Sequence, residues 1–187
     1  MSSPVFPLFL RLEDRLVLVV GAGAVAERKI ASLVEAEARV RVVAPEATDA
    51  VRRLSETGVV EWLPRVFDES DLDGAWLVMA ATNDPEVQQR IGDSAKARRV
   101  FCVAIDDPPN ATAYSGAVVR RPPFLVAISS SGATPALTRL LREIIESVLP
   151  GDDWVEHAKQ LRAKWIAQGT PMAERFSELV REWRSPR

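Results

Sequence analysis

The amino-acid sequence predicts an α/β protein built on a doubly wound parallel sheet, followed by a small β-β-α region and a helical C-terminal region. Three observations carry that expectation. Short apolar runs alternate with amphipathic stretches of helix length through residue 112. The first run ends in the glycine-rich turn Gly21-Ala22-Gly23. After Asp107-Pro108-Pro109-Asn110 the rhythm changes to two apolar runs and then three helical stretches. Strands separated by helices of 10–15 residues require right-handed crossovers, and these put helices on both faces of a parallel sheet.

The elements follow in order. Arg15 to Val20 is a continuous apolar run of the kind buried on both faces. Ala24 to Ala36 reads as a helix, with Val25, Ile30, Leu33 and Val34 supplying its apolar face. Val40 to Ala44 is a second strand stopped by Pro45, and Glu46 to Glu56 reads as helical. Val59 to Trp62 and Trp76 to Ala81 are further strands; Asp84 to Arg98 is a helix and Val100 to Ile105 a fifth strand. Tyr114 to Val119 and Phe124 to Ile128 then read as strands flanking Arg120-Arg121-Pro122-Pro123. Thr134-Pro135 opens a helix through Leu149, with a broad stripe of Leu137, Leu140, Leu141, Ile144, Ile145 and Val148. Two more helices, Asp152 to Gln168 and Met172 to Trp183, are joined by Gly169-Thr170-Pro171.

The expected organisation is therefore a dinucleotide-binding domain over residues 1–112, a dimerisation region over 113–149 and a helical region over 150–187. A β-β-α unit of that size cannot bury its own apolar stripe, so a second copy of the chain is the expected partner.

Composition excludes several classes. The 187 residues are 47% hydrophobic and 27% charged, with a net charge of −2, which is ordinary for a globular protein and gives no general attraction to nucleic acid or anionic membrane. No apolar run reaches about 18 residues, and Met1 to Leu12 has neither a basic leader nor a small-residue cleavage pattern, so no membrane span or targeting segment is expected. The single cysteine, Cys102, lies in an apolar run and fits a reducing cytoplasm. With one histidine, His157, a multi-histidine metal site is not expected. The charge is uneven: the net is −5 over residues 1–112, +2 over 113–149 and +1 over 150–187.

The turn Gly21-Ala22-Gly23-Ala24-Val25-Ala26 has the form G-x-G-x-x-A between a buried strand and a helix. The first glycine permits the tight turn, and the second leaves room for a pyrophosphate at the helix N-terminus. That context points to Rossmann-type dinucleotide binding, with Gly21, Gly23, Ala24 and Val25 at the phosphates. The acidic residue that commonly ends the second strand is missing: Ala44-Pro45 stands there, with Glu46 just beyond. Pro45 and Glu46 are the candidates for the ribose side, either through Glu46 at a helix start or through backbone groups. No arginine follows immediately to favour a 2′-phosphate, so NAD is expected rather than NADP. Thr82 and Asn83, ending the fourth strand, complete the candidate cofactor set.

The string Gly21-Ala22-Gly23-Ala24-Val25-Ala26-Glu27-Arg28-Lys29 resembles the G-G-G-x-V-A-x-R-K opening of the precorrin-2 dehydrogenase/sirohydrochlorin ferrochelatase family, the siroheme synthase N-terminal module. Further likenesses fall in the same order. They are Phe67-Asp68-Glu69 before Leu72, Ala80 to Asp84, Phe101 to Asp106, Val126 to Pro135, and Leu137 to Glu143. The resemblance spans residues 5 to 150. It implies NAD-dependent oxidation of precorrin-2 to sirohydrochlorin, with insertion of ferrous iron in bifunctional members, and a homodimer. The family's key acid maps onto Asp106, and another position of interest maps onto Ser130. The family's proline after the fifth strand is absent from Ala113-Tyr114-Ser115-Gly116-Ala117. The methyltransferase module of some relatives is also absent, so methylation of the precursor is expected of another protein.

The residues themselves allow chemistry at the same place. Ligands of open α/β sheets bind at the carboxyl ends of strands, where Gly21, Thr82 and Asp106 converge. A carboxylate there can accept a substrate proton; alternatively, Asp106 or Asp107 only initiates the Asp-Pro turn. Ser130, Ser131 and Gly132 precede a helix start and offer hydroxyls and N–H groups to substrate carboxylates, or else Ser131 or Thr134 merely caps that helix. Arg121, with Arg120, Arg139 and Arg142, is a candidate carboxylate partner or solvated surface charge. The competing reading from another class is a non-enzymatic NAD-sensing regulatory module, which would need the glycine turn but neither Asp106 nor the serine loop.

Overall fold

The computed structural model describes residues 5–184; the outermost ends of the first and last predicted regions lie outside the described residues. The chain forms two compact units. The first runs through Gly116 and includes Ser131–Ala133; the second comprises Ala117–Ser130 and the chain from Thr134 onward.

In the first unit, β1 (Leu16–Val20), β2 (Arg39–Val43), β3 (Glu61–Leu63), β4 (Leu77–Ala80) and β5 (Phe101–Ala104) form one sheet in the order β3-β2-β1-β4-β5. All four pairings are parallel. Helices α1 (Ala24–Glu35), α2 (Asp49–Glu56) and α3 (Pro85–Arg98) supply the crossovers. The period-2 geometry of a strand divides the core in two. Val17 and Val19 of β1 pack with Ala26, Ile30 and Leu33 of α1 and Val51 of α2. Leu16, Leu18 and Val20 pack with Ile91 and Ala95 of α3, together with Phe67 and Leu72. Both faces of the sheet are covered, which is why β1, β4 and β5 read as unbroken apolar runs. Cys102 belongs to the second cluster and is fully buried.

Two expected boundaries move. Helix α2 starts at Asp49 rather than Glu46, because Thr48 takes the N-cap and its hydroxyl accepts from the Val51 amide. The strand expected over Tyr114 to Val119 begins only at Ala117, because the preceding residues are held elsewhere. The amides of Thr112 and Ala113 both donate to the Cys102 carbonyl, and the Thr112 hydroxyl accepts from the Cys102 amide at 2.8 Å. This segment satisfies edge groups of β5 that a sixth strand would otherwise bond.

Outside the sheet, Asp71 is 4% exposed and meets Arg65 through two hydrogen bonds of 2.8 and 2.5 Å, while also accepting from the Asp68 amide. Burial alone would raise its carboxyl, but the guanidinium and the amide outweigh it and hold Asp71 below the usual carboxylate range.

In the second unit, β6 (Ala117–Arg121) and β7 (Phe124–Ile128) pair antiparallel, with Arg121 opposite Phe124 and only Pro122–Pro123 between them. Helix α4 (Pro135–Val148) packs on this hairpin; α5 (Asp152–Ala167) and α6 (Met172–Arg184) pack on each other. Leu161 and Trp165 of α5 are buried, and the Trp165 indole donates to Glu178 of α6 at 2.7 Å. His157 lies on α5 between Trp154, whose ring meets it edge-on, and Glu182 at 3.4 Å. Among the described residues no helix is long and apolar enough to cross a membrane.

Candidate active site

The strand order places the direction change between β1 and β4, so the carboxyl ends of these neighbours frame the ligand crevice of such sheets. Gly21 leaves β1 with φ +104°, a backbone conformation that L side chains rarely adopt. A Cβ here would lie 2.3 Å from the Ala81 carbonyl oxygen, so the position excludes every other residue. Gly23 is different. A Cβ on it would meet nothing within 4 Å, which leaves open space directly above the N-terminus of α1. As the N-cap it has no side chain with which to satisfy the first-turn amides of α1. These features fit a pyrophosphate: a free helix N-terminus with an unobstructed backbone beside it.

A cleft of about 600 Å³ opens beside this turn, lined by residues that include Val25, Thr82, Asn83, Gln88, Asp106 and Asn110. The structure thus brings together, within the first unit, Val25 from α1, Thr82 and Asn83 from the end of β4, and Asp106 from the end of β5. Thr82 accepts from the Asp84 amide, and Asp84 in turn caps α3 by accepting from Glu86 and Val87. This fixes the β4–α3 loop. Asp106 follows β5 in a turn with φ 57°, and its exposed side chain lines the cleft. Among the described residues no hydrogen bond or ion pair engages its carboxylate. Its neighbour Asp107 takes the turn-forming role, as N-cap of the short 3-10 helix Pro108–Asn110 with its carboxylate bonded to Asn110 at 2.6 Å. Both aspartates line the cleft, Asp107 with its carboxylate engaged by Asn110 and Asp106 without such a partner among the described residues.

On the ribose side, Ala44 is 6% exposed and its carbonyl accepts from the Trp62 indole, so the end of β2 is spent on packing against β3. Pro45 and Glu46 are exposed in a bend and do not line the cleft. Glu46 is not at a helix start, because Thr48 rather than Pro45 precedes α2. Thr48 also reaches back to the glycine turn, its amide donating to the Ala22 carbonyl and its hydroxyl to Glu27 at 2.9 Å. Lys29, two turns along α1, donates to Ser115 at 2.9 Å. Burial, aided by Arg28, pulls its ammonium below the usual lysine range.

In the second unit, Ser130 accepts from the Thr134 amide at 3.2 Å and from the Thr138 hydroxyl at 2.9 Å. Thr134 is the N-cap of α4 without a side-chain cap bond, and Ser130 braces the chain just before it. Ser131 and Gly132 both have positive φ in the turn before it. Arg121 donates to the Leu149 carbonyl at 2.9 Å, placing its charge at the C-terminal end of α4. Arg139 pairs with Glu143, and Arg142 with Glu143 and Glu146.

Gln88, Thr48 and Thr112 escape the sequence reading. Each acts on backbone groups far along the chain, and neither periodicity nor motif spacing reports such a contact. Gln88 alone carried a hint: a polar residue where α3 turns toward the sheet.

Comparison with known proteins adds independent findings. Residues 8–117 match the family described as "Putative NAD(P)-binding". A siroheme synthase of Salmonella paratyphi A is 42% identical over 171 residues, covering 90% of this chain and 37% of the relative. A siroheme synthase of Shigella boydii serotype 18 gives the same identity and coverage. The chain thus spans little more than a third of the curated relatives it matches. Among solved structures, SirC, a precorrin-2 dehydrogenase, superposes with a TM-score of 0.75 at 22% identity, over 95% of this chain and 88% of that one. Its likeness extends through both units, so the fold as a whole is shared.

Proposed function

This chain belongs to that NAD(P)-binding family, and we propose that it is an NAD-dependent precorrin-2 dehydrogenase that forms sirohydrochlorin in siroheme synthesis. The observation that carries the reading is the cleft at the carboxyl edge of the sheet. An exposed, unpaired Asp106 lines it together with Val25, Thr82 and Asn83 beside an uncapped helix N-terminus.

The geometry supports the following roles. The amides at the start of α1, with the space above Gly23, hold the pyrophosphate. Thr82 and Asn83 form the wall of the cofactor site at the end of β4. Pro45 and Glu46 lie on the ribose side, where Glu46 favours NAD by disfavouring a 2′-phosphate. When bound, NAD supplies the hydride acceptor. The tetrapyrrole loses two hydrogens overall, one as hydride and one as a proton. Asp106 takes the proton at its carboxylate, which its lack of internal partners leaves free to do so. Ser130, Ser131, Gly132 and Arg121 are proposed to meet substrate carboxylates, and the net charge of +2 over residues 113–149 suits a polycarboxylate. Insertion of ferrous iron, a substrate held by the macrocycle's own nitrogens, is proposed as a second activity in which Asp106 receives pyrrole protons. We place the enzyme in the cytoplasm as a homodimer joined through residues 113–149, with 150–187 as a helical appendage.

The test is the appearance of NADH absorbance on adding precorrin-2, with and without ferrous iron. Asp106→Asn should retain the fold and NAD affinity while turnover falls on the order of 100-fold or more. NAD binding without turnover in the wild-type protein would favour the sensing module instead. Full turnover by the Asn variant would remove Asp106 from the mechanism.

A further inference from the structure

Gln88 sits on the first turns of α3 and is 6% exposed, a degree of burial unusual for a glutamine. Its side-chain nitrogen donates to two carbonyls at once: Thr82 at 3.1 Å, at the end of β4, and Ile105 at 3.1 Å, at the end of β5. The opposite orientation of the amide would point oxygen at two carbonyl oxygens, so the chemistry fixes which end faces them. The remaining amide oxygen is then buried without a partner. Natural cores rarely tolerate such an acceptor, and an apolar side chain of the same volume would avoid it.

What the amide holds explains the residue. Ile105 immediately precedes Asp106, and its own N–H already donates to the Ala80 carbonyl at 3.0 Å. With Gln88 on its carbonyl, Ile105 is held on both sides, and the peptide leading into Asp106 cannot rotate freely. Thr82 precedes Asn83 in the other wall of the cleft. One buried amide therefore sets the gap between the wall assigned to the cofactor and the turn that presents the carboxylate. A second contact reinforces the Asp106 side: Gly92, one turn further along α3, packs so closely on Asn110 that a Cβ would lie 3.1 Å from it.

We propose that Gln88 is a positioning residue, which aligns Asp106 with the cofactor wall by tying the ends of β4 and β5 together. The inference rests on the role given to Asp106 above. Small misplacements of a reacting group cost rate far more than affinity. Gln88→Met, which keeps the volume and removes both donors, should lower kcat on the order of 10- to 100-fold, with KM and NAD affinity within about threefold. Ile91→Val, a core truncation on the same helix, is the control and should leave kcat unchanged.

A second readout needs neither substrate nor cofactor. In the Met variant, the hydrogen-bonded backbone amides of Asp84, Ile105 and Asn110 should exchange with solvent on the order of tenfold faster, while those of the β1–α1 turn keep their rate. Gln88→Asn retains an amide but withdraws it from both carbonyls, and it serves with the same outcomes if the Met variant fails to fold. Wild-type kcat in a folded variant, or unchanged exchange in both segments, overturns the proposal. Wild-type protein that shows no turnover overturns the dehydrogenase reading instead, and the exchange comparison still decides whether Gln88 ties the two segments.

Discussion

All five residues of β1 in the first unit are buried, whereas the five-residue β6 in the second has only Val119 fully buried. The same contrast holds for helices. The apolar side of α1 disappears into the core at Ala26, Ile30 and Leu33, but on α4 Leu137, Leu140, Leu141, Ile144 and Val148 are all at least 40% exposed. The first unit covers both faces of its sheet with its own helices. The second has a hairpin on which α4 packs, while α5 and α6 pack on each other, and the apolar stripe of α4 stays exposed. The comparison teaches that apolar patterning alone does not reveal whether a stripe is buried within its own unit; the elements that pack on it decide that.

If the first unit is self-sufficient, its least replaceable positions are those where backbone meets backbone. Gly21→Val should be the most damaging change. It drives a side chain into the Ala81 carbonyl at a φ of +104° and should cost about 3 kcal/mol or more, with loss of NAD binding, measured by urea unfolding and cofactor titration. A Gly21→Val protein of native stability would break the account of the turn.

The second unit should respond in association instead. Ile144→Asp, on the exposed stripe of α4, should weaken self-association on the order of 100-fold, read by sedimentation across a concentration series. Its first-unit unfolding midpoint at low protein concentration should match that of the wild type. An unaltered oligomeric state would remove α4 from the interface.

A smaller effect is expected at Asp71. Its partner Arg65 is 45% exposed, so solvent screens part of the pair, and Asp71→Asn should cost about 2 kcal/mol at neutral pH. The folded carboxyl lies below its unfolded value. Its contribution is therefore present above the unfolded value, near about 4, and fades as pH falls through the folded one. The gap between wild type and variant should close on acidification; a constant gap would assign the effect to packing.

The smallest perturbation is chemical. Burial, with Asp107 adding to it, pushes the Cys102 thiol up to about 11, so the native protein should not react with a thiol reagent at mildly alkaline pH. Rapid labelling without unfolding would mean that β5 opens locally.

Much of the first unit was legible because its determinants are local. Leu16 to Val20 reads as a strand buried on both faces, and the glycine pair needs only its immediate neighbours to define a turn. Asp106 was legible too, since a strand end is a position in sequence as well as in space. The start of α2 was not, because it depends on which of several neighbouring side chains finds an open amide, here Thr48 at the Val51 N–H. The strand start at Ala117 was hidden for a similar reason, because Thr112 and Ala113 are claimed by Cys102 on β5.

By itself, then, the sequence determined the alternation of strands and helices, the glycine turn and the acid after β5. These rest on side-chain period and backbone sterics, which act over a few residues. Only the tertiary structure decided that Gln88 spans two strand ends, that Asn110 engages Asp107 and not Asp106, and that the stripe of α4 stays uncovered. Those outcomes depend on groups brought together by the order of strands in the sheet and on which elements pack on the apolar surface of each unit.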